Sequence, residues 1–284
     1  MIADIHRATG HPVRRICAVL QLPRSSYFHA ATPTATRAGD QQLGNRIQAI
    51  FTHHRQCYGY RRIGAELSSR GLVCAPARIR RIMASRSLKA LQPRSHLPRT
   101  SDGRADLPSS NLLEGNPLPE APDRVWAGDI TFIPTSHGWL YLAVVIDLCS
   151  RRIVGWKLAN HLRGELVTGA LEQALGSRRI RPGLIFHSDR GSQYGSRAYR
   201  RVLARHGIRQ SISARANPYH NAWTESFMGT LKKEMLRNGC FINEADARTE
   251  IFSFIEGYYN TERLHSSLNY ETPARYEATM TSPK

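Results

Sequence analysis

The amino-acid sequence predicts an α/β fold in which a mixed five-stranded sheet is flanked by helices and preceded by an all-helical region. Residues 1–91 place apolar side chains at helical spacing, whereas residues 124–284 begin with three consecutive strand signals and then alternate helices with strands. Residues 92–123 hold six of the fifteen prolines, a composition that favours extended chain. The sequence therefore predicts a helical domain, a proline-rich linker, and an α/β domain with a C-terminal helix and tail.

The helical region shows two segments. Apolar side chains at helical spacing over roughly 13–20 predict a first helix, which Pro23 ends and a second short helix follows. Three longer helices come next, the second of them ending near Gly71. Their apolar positions are Leu43, Ile47, Ile50 and Phe51 in the first, Ile63 and Leu67 in the second, and Ile79, Ile82 and Met83 in the third.

The third of these helices is rich in arginine. Pro76 stands at a plausible first helical position, and Arg78, Arg80, Arg81 and Arg86 lie off the apolar face. A three-helix unit with a turn and a basic last helix is typical of a helix-turn-helix DNA-binding region. The alternative is a basic helical hairpin that packs on the rest of its own chain.

Charge is distributed unevenly. The chain carries 40 Lys and Arg against 22 Asp and Glu, a net charge of +18; residues 1–100 hold 17 basic and 3 acidic side chains, and residues 101–284 hold 23 and 19. A polyanion such as DNA explains this concentration, whereas a merely solubilising surface does not require it. No apolar run approaches the roughly 18 residues that span a bilayer, so a membrane partner is not expected.

The five cysteines form no C-x-x-C pair, and no signal peptide is apparent. They predict reduced thiols and a cytoplasmic protein. His53, His54 and Cys57 are the one local cluster of zinc-ligand types, and no second half with ligand spacing follows, so a zinc site is not expected.

The α/β domain begins with three strand signals joined by short turns, at 125–134, 139–148 and 152–158. A helix at about 163–176, a strand at 184–189, a helix at about 194–206 and a strand near 208–212 follow, and then a helix over 222–237. Asp129 lies within the first strand and Asp189 at the end of the fourth, so the two carboxylates can meet at one edge of the sheet.

Glu225 lies on the last of these helices. Asn221, Glu225 and Lys232 are four and seven positions apart and therefore share one helix face. Three carboxylates suit hard cations, because Mg²⁺ prefers oxygen ligands, and two such ions about 3.5–4 Å apart can activate an attacking oxygen and stabilise a leaving one. Asp129, Asp189 and Glu225 are therefore candidate metal ligands for phosphodiester chemistry, with Lys232 placed to contact a DNA phosphate.

The three acidic residues lie in distinctive sequence motifs: W-A-G-D-I-T, H-S-D-R-G-S-Q-Y and N-A-W-T-E-S-F-M-G-T-L-K. The tail Y-N-T-E-R-L-H-S-S-L-N-Y-E-T-P follows them. With 35 residues between Asp189 and Glu225 and a cation seven positions after Glu225, the chain resembles the D,D-35-E transposases and retroviral integrases, which have an RNase H-like core. These motifs resemble those in the protein encoded by the second reading frame (OrfB) of bacterial transposases of the insertion-sequence-three family. Y-G-Y-R-R-I-G-A-E-L and R-I-R-R-I-M are similar to that family's helix-turn-helix. The resemblance covers about residues 10–278.

This resemblance implies a DNA transposase that cleaves and joins strands at the ends of an insertion sequence. Asp129, Asp189 and Glu225 are then both catalytic and metal-binding, with two Mg²⁺ ions that Mn²⁺ is expected to replace. The expected DNA-binding residues are Lys232, Asn221, Arg78, Arg80, Arg81, Arg61 and Arg62. Water frees a 3′ hydroxyl, and that hydroxyl attacks a second phosphodiester.

The resemblance also implies partners and a location. Double-stranded DNA is expected as terminal repeats and target, an upstream-frame DNA-binding protein as a partner or frameshift fusion, and a homo-oligomer on DNA. The expected location is the bacterial cytoplasm, in association with the nucleoid. A DNA-binding regulator with an idle core, and a nuclease that cuts without joining, remain as alternatives.

Three further polar residues are left open. His187 and Gln193 flank Asp189 and either order water or DNA, or cap the strand end and the following helix. Asp147 is assigned no role, because an aspartate at that position more often terminates a strand or pairs with arginine.

Overall fold

The computed structural model describes residues 1–24, 27, 35–91, 111–117, 119–180, 182–213, 222–236 and 239–281. The chain divides into two compact units, Met1–Lys89 and Ala90–Lys284. Within the described ranges, no helix is long and apolar enough to cross a membrane. The five cysteines are free thiols, as the sequence predicts.

The first unit is all-helical. Its helices are α1 (Ile2–Thr9), α2 (Val13–Val19), α3 (Ala35–His53), α4 (Tyr60–Ser69) and α5 (Pro76–Ser85). The last three confirm the predicted helices, including Pro76 in the first turn of α5. Their apolar stripes form one core, since Ile47, Ile63, Leu67 and Ile79 are at most 1% exposed. Most of the short helix predicted after Pro23 lies outside the described residues.

Two features of this unit were not predicted. Helix α1 has only eight residues, fewer than the window of about 11–18 over which helical periodicity is read, and it buries none of them. The arginines of α5 are engaged within the unit: Arg78 and Arg81 donate to the two carboxylate oxygens of Asp40, at 2.9 and 2.8 Å. These contacts connect α5 to α3.

The second unit contains the predicted mixed five-stranded sheet. Its strands are β1 (Val125–Thr135), β2 (Gly138–Asp147), β3 (Ile153–Ala159), β4 (Ile185–Ser188) and β5 (Arg209–Ile212), in the order β3-β2-β1-β4-β5. The first three form an antiparallel meander, and β4 and β5 add in parallel to β1. Parallel addition needs crossover connections, and helices α6 (Gly164–Ser177) and α7 (Arg197–Arg205) supply them.

Helices cover both faces of the sheet. Alternate residues of β1 point to opposite sides: Trp126 packs with α6 and α7, while Ala127 packs with α8 (Ala222–Leu231) and the C-terminal helices. Those helices are α9 (Glu244–Phe252) and a π-helical segment (Ser253–Tyr259); a last helix, α10 (Pro273–Thr281), follows them in the chain. The predicted helix over 222–237 is present, but its last turn, Lys232–Leu236, is π-helical.

The predicted linker, residues 92–123, stays a prediction, because residues 92–110 and 118 lie outside the described part of the chain. Its described end packs on the second unit. The Leu112 amide donates to Ser211 Oγ at 2.9 Å, and Leu113 packs against the α8 side of the sheet. The Asp123 amide donates to Asp147 Oδ2 at 2.7 Å.

Candidate active site

Asp129 and Asp189 lie at one end of the parallel pair β1 and β4. The register pairs Ala127 with His187 and Gly128 with Ser188; Asp129 continues β1, whereas Asp189 follows directly after the last residue of β4. The charge of Asp189 contributes to the raised pKa of Asp129, after the larger effect of burial. Two carboxylates separated by 59 residues of sequence therefore interact electrostatically at this end of the sheet.

The backbone around each aspartate fixes its side chain. Asp129 Oδ1 accepts a hydrogen bond from the Ile130 amide at 2.8 Å, and Asp189 Oδ1 accepts one from the Gly191 amide at 2.9 Å. Gly128 precedes Asp129 on the opposite face, where a Cβ atom would stand 2.6 Å from Phe186 Cζ. Glycine therefore lets an aromatic ring pack directly beneath the strand that carries Asp129.

Glu225 approaches from α8, which packs on the Asp129 face of the sheet. Phe227, Met228 and Leu231 bury the inner side of this helix against the odd-numbered residues of β1. Glu225 itself is exposed. The negative charge of Glu225 raises the pKa of Asp129, so the two carboxylates interact electrostatically.

Lys232 also faces this cluster. Burial lowers its pKa, and the charge of Asp129 opposes that shift. Lys232 is thus the one cation within the described residues whose charge acts on Asp129, which agrees with its predicted place beside the acidic residues. Asn221, predicted to share this face, lies outside the described residues.

The π-helical turn after α8 is held by a buried ion pair that the sequence did not reveal. Arg263 Nε is 3.1 Å from both carboxylate oxygens of Glu234, and Nη2 is 2.9 Å from Oε1. The two side chains are 6% and 1% exposed. Arg263 belongs to the tail motif 259–273, so that motif serves to fix the segment that carries Lys232.

The electrostatics of the site favour neutral or metal-bound carboxylates. Burial and the charges of Asp189 and Glu225 together raise the pKa of Asp129 to about 8, against the opposing Ile130 hydrogen bond and the charge of Lys232. Desolvation also raises the pKa of the half-buried Asp189 and of Glu225. Within the described residues none of the three forms an ion pair, so a cluster of negative charge is left without a contacting cation.

These residues fit a hard divalent cation in donor type and charge. All three offer only carboxylate oxygens, which Mg²⁺ prefers, and a cation would relieve the repulsion that raises the pKa of Asp129. Nowhere among the described side chains do three His, Cys, Asp or Glu residues stand close enough to share one ion. The three carboxylates therefore influence one another electrostatically, but they are not close enough to bind the same ion.

The other polar residues near the second aspartate are structural. His187 is fully buried, with Nδ1 2.9 Å from Ser211 Oγ and Nε2 3.1 Å from Ser213 Oγ, so it joins β4 to β5. Gln193 donates to the Leu162 carbonyl at 3.2 Å. Both residues make structural contacts, but neither caps the following helix, whose N-cap is Ser196.

Asp147 is buried at the end of β2, where it accepts hydrogen bonds from the Ser150 amide and hydroxyl. Asp147 is the last residue of β2, so it terminates the strand, one of the two roles that are common for an aspartate at such a position.

Tyr194 lies beneath the site, and the sequence analysis did not single it out. It is fully buried on the opposite face of the sheet, and its hydroxyl would lie 3.2 Å from a Cβ atom at Gly128. Burial and the charges of Asp129 and Asp189 raise its pKa well above the usual value. Its place in H-S-D-R-G-S-Q-Y, five positions after Asp189, is the signal that could have found it.

In the first unit, the predicted DNA-binding arginines fall into two groups. Arg78 and Arg81 share Asp40. Arg61 and Arg80 lie over the Tyr60 ring, with guanidinium carbons 5.6 and 5.1 Å from its centroid. A further contact of this kind joins Arg62 to Tyr58 at 5.6 Å.

Comparison with known families gives three matches. The integrase core domain family matches residues 119–218, a second integrase core domain family matches residues 206–273, and the HTH-like domain family matches residues 38–96. The two integrase matches include Asp129, Asp189 and Glu225 between them.

Curated relatives match over most of their length. The chain is 40% identical to the transposase for insertion sequence element IS904 of Lactococcus lactis over 245 residues, which cover 86% of this chain and 97% of the relative. It is 36% identical to transposase InsF for insertion sequence IS3A of Escherichia coli, covering 93% of each chain. It is also 36% identical to a 31 kDa protein of insertion element IS600 from Shigella sonnei, covering 92% of this chain and 97% of the relative.

Among solved structures, the chain resembles a simian T-cell lymphotropic virus intasome bound to a PP2A regulatory subunit, at 16% identity and a TM-score of 0.49, covering 78% of this chain and 71% of that one. It also resembles the HTLV-2 integrase catalytic core domain in complex with magnesium, at 16% identity and a TM-score of 0.43, covering 55% of this chain and 97% of that one.

Proposed function

Because the chain belongs to the insertion-sequence-three family of transposases, we propose that Asp129, Asp189 and Glu225 form the site in which it cleaves and joins DNA strands. Its activity is that of a DDE-type transposase, which carries out DNA transposition and recombination through its integrase core. The single observation that supports the site is the electrostatic interaction of Asp129, on β1, with Asp189, which directly follows β4, and with Glu225 on α8.

The three carboxylates would hold two Mg²⁺ ions, with Mn²⁺ as an acceptable substitute. Bound there, the ions supply activation of the attacking oxygen and stabilisation of the leaving oxygen in an in-line displacement. The protein's own contribution is positional: β1 and β4 fix two carboxylates at one strand end, and α8 brings the third to the same face. The mutual repulsion that raises the pKa of Asp129 supports this assignment.

Lys232 and the first unit would hold the DNA. We assign Lys232 to a phosphate near the scissile bond, because its charge already acts on Asp129. Arg61, Arg62, Arg78, Arg80 and Arg81 would bind the element ends through the HTH-like domain. Asn221 is proposed as a further contact from its sequence position alone.

The reaction is two displacements in one site. Hydrolysis of one strand at each element end frees a 3′ hydroxyl, and that hydroxyl attacks a second phosphodiester, so no covalent bond to the protein is needed. The terminal repeats and the target are duplex DNA. An upstream-frame partner, joined by frameshifting, and a homo-oligomer on DNA are part of the same proposal.

The test uses a labelled element-end duplex and Mg²⁺, with nicked and joined products scored separately. The substitutions are Asp129→Asn, Asp189→Asn and Glu225→Gln, and the control is Glu165→Gln, which removes an exposed carboxylate from the same unit. We expect each site variant to lose both products while it binds DNA normally. Cleavage retained by any of the three would remove that residue from the site.

Two outcomes separate the alternatives. Binding without any cleavage by the unsubstituted chain, alone and joined to its upstream frame, would identify a regulator with an idle core. Nicking without joining would identify a nuclease. A metal role has an independent readout, because Mg²⁺ should raise the melting temperature of the unsubstituted chain more than that of Asp129→Asn.

A further inference from the structure

The segment between the second and third carboxylates is strongly basic. Residues 190–224 contain seven arginines and no aspartate or glutamate. The α/β domain as a whole is much closer to neutral, with 23 basic and 19 acidic side chains over residues 101–284. Positive charge is therefore concentrated in one stretch of the catalytic unit, next to its acidic site.

Helix α7 arranges this charge on one side. Tyr199 and Leu203 are 0% and 2% exposed and pack against the sheet. Arg197, Arg201 and Arg205 repeat every four residues, and at about 100° per residue they lie opposite that buried side. Successive members are separated by a rise of about 6 Å along the helix axis. We call these three residues the arginine stripe.

Among the residues that the structure describes, the stripe has no charged partner. Its three arginines are exposed, and none of them forms an ion pair or side-chain hydrogen bond with a residue that the structure describes. Other arginines of the same unit differ: Arg190 donates to the Ser213 carbonyl at 3.1 Å, and Arg178 is bonded to Glu277. The stripe therefore has no partner in the described structure to neutralise it.

We infer that the arginine stripe on α7 is a second binding surface for duplex DNA, and that it contacts the phosphate backbone without reading base sequence. The inference rests on the proposed function, which makes DNA the substrate. A guanidinium pairs with phosphate oxygens in a bidentate manner, and phosphate contacts position a duplex without specifying its sequence.

The location of α7 connects this surface to the reaction. The helix begins eight residues after Asp189, and the intervening turn is fixed at both ends. The Gly191 amide donates to Asp189 Oδ1 at 2.9 Å, and Gln210 Nε2 donates to the Tyr194 carbonyl at 2.8 Å. A duplex held by the stripe is thus held by an element rigidly linked to a catalytic carboxylate.

The experiment measures the affinity of the full chain for a random-sequence duplex by fluorescence anisotropy, in EDTA, over a series of salt concentrations. The test variant replaces the three stripe arginines with glutamine. The control replaces Arg179, Arg248 and Arg275, which are exposed in the same unit, and so removes the same net charge. A third variant replaces the stripe with lysine.

We expect the slope of log K against log salt to fall by about 2.7 in the stripe variant, since each phosphate contact contributes about 0.9. The control should change the slope by less than about 1, and the lysine variant should stay close to the unsubstituted chain. Arg201→Gln alone should lower the slope by about 0.9. This single variant can be measured even if the triple variant folds poorly. An unchanged slope, or equal losses in stripe variant and control, would overturn the inference.

Activity assays on the stripe variant distinguish whether the bound duplex is target DNA or the flank of the element. Loss of joining into a target plasmid with cleavage retained would place target DNA on the stripe, whereas loss of end cleavage would place the element's own flank there. Both outcomes support the surface. Because binding is measured in EDTA, a failed triad assignment leaves this test intact, and a failed stripe leaves cleavage by the triad intact.

Discussion

Two aspartates, one in each unit, have neighbours of different charge: Asp40 lies among cations and Asp129 among other carboxylates. Asp40 in the helical unit accepts hydrogen bonds from Arg78 and Arg81, and these guanidinium groups lower its pKa. Asp129 in the sheet unit lies among other carboxylates, and burial and their charges raise its pKa to about 8. One carboxylate is paired with cations of its own unit, whereas the described part of the chain supplies no ion-pair partner for the other.

The same contrast recurs within the sheet unit. Glu234 and Glu277 are buried and bonded to arginines, and both connect distant parts of the chain. Asp129, Asp189 and Glu225 have no ion-pair partner within the described residues. Asp129 and Asp189 are half-buried and Glu225 is exposed. A desolvated charge without a partner is costly, so the retention of the two aspartates indicates a functional role.

The largest expected effect is at Asp129. Asp129→Asn should reduce cleavage on the order of 10³-fold or more, because it removes electrostatic stabilisation of the reaction. Without divalent cations, however, it should stabilise the fold at neutral pH by about 1–2 kcal/mol. The raised pKa means that Asp129 contributes stability below its unfolded pKa of 3.8 and loses that contribution as pH rises toward about 8.

Thermal unfolding in EDTA measures this dependence of stability on pH. The range from about pH 3.5 to about pH 8.5 covers the shift in the pKa of Asp129 from 3.8 to about 8. The melting temperature of the variant should exceed that of the unsubstituted chain by a margin that grows as pH rises. A variant that is less stable than the unsubstituted chain at pH 7.5 would place Asp129 with the structural carboxylates instead.

The next effect is at the buried ion pair. Arg263→Gln should destabilise the second unit by about 3–5 kcal/mol, because it leaves Glu234 buried without a partner. Chemical denaturation measures the loss. Replacing both residues with apolar ones of similar size, Arg263→Met with Glu234→Leu, should cost less than the single change, and an equal or larger cost would contradict a mainly electrostatic role.

A smaller effect is expected at Glu277, which Arg178 and Arg152 hold. Hydrogen bonds and charge from Arg178 lower the pKa of Glu277 against the opposing effect of burial. Its stabilisation is therefore present above the unfolded pKa of 4.5 and is lost as pH falls through the folded value. Glu277→Gln should cost about 1–3 kcal/mol at pH 7 and progressively less in acid. A cost independent of pH would show that packing, not charge, is lost.

The smallest effects are expected among the arginines of α5. Arg80→Gln should lower the salt slope of DNA binding by about 0.9, whereas Arg78→Gln and Arg81→Gln should each lower it by less, because both are held by Asp40. Asp40→Asn provides the control, since it releases both arginines and should steepen the slope. Equal losses at all three positions would show that the Asp40 pair is not structural.

Most of the fold followed from sequence patterns. Alternating and apolar strand signals located the five strands, and the position of Asp189 at a strand end predicted that it would meet Asp129. Helix α1 was missed because its eight residues are too few for a distinctive periodic pattern. The rest of the missed features are long-range: Arg263 lies 29 residues from Glu234, and Arg78 lies 38 from Asp40. Local periodicity carries no information about such partners.

The parallel pairing of β1 with β4 has a consequence for the order of events during synthesis. The helical unit is built from contacts within its own 89 residues and is complete before β1 is made. The carboxylate pair requires a strand made 60 residues after Asp129, and the third carboxylate follows on α8. We therefore expect a growing or truncated chain to recognise DNA before it can cut it, so that an incomplete product occupies the element's ends as a harmless competitor of the finished protein.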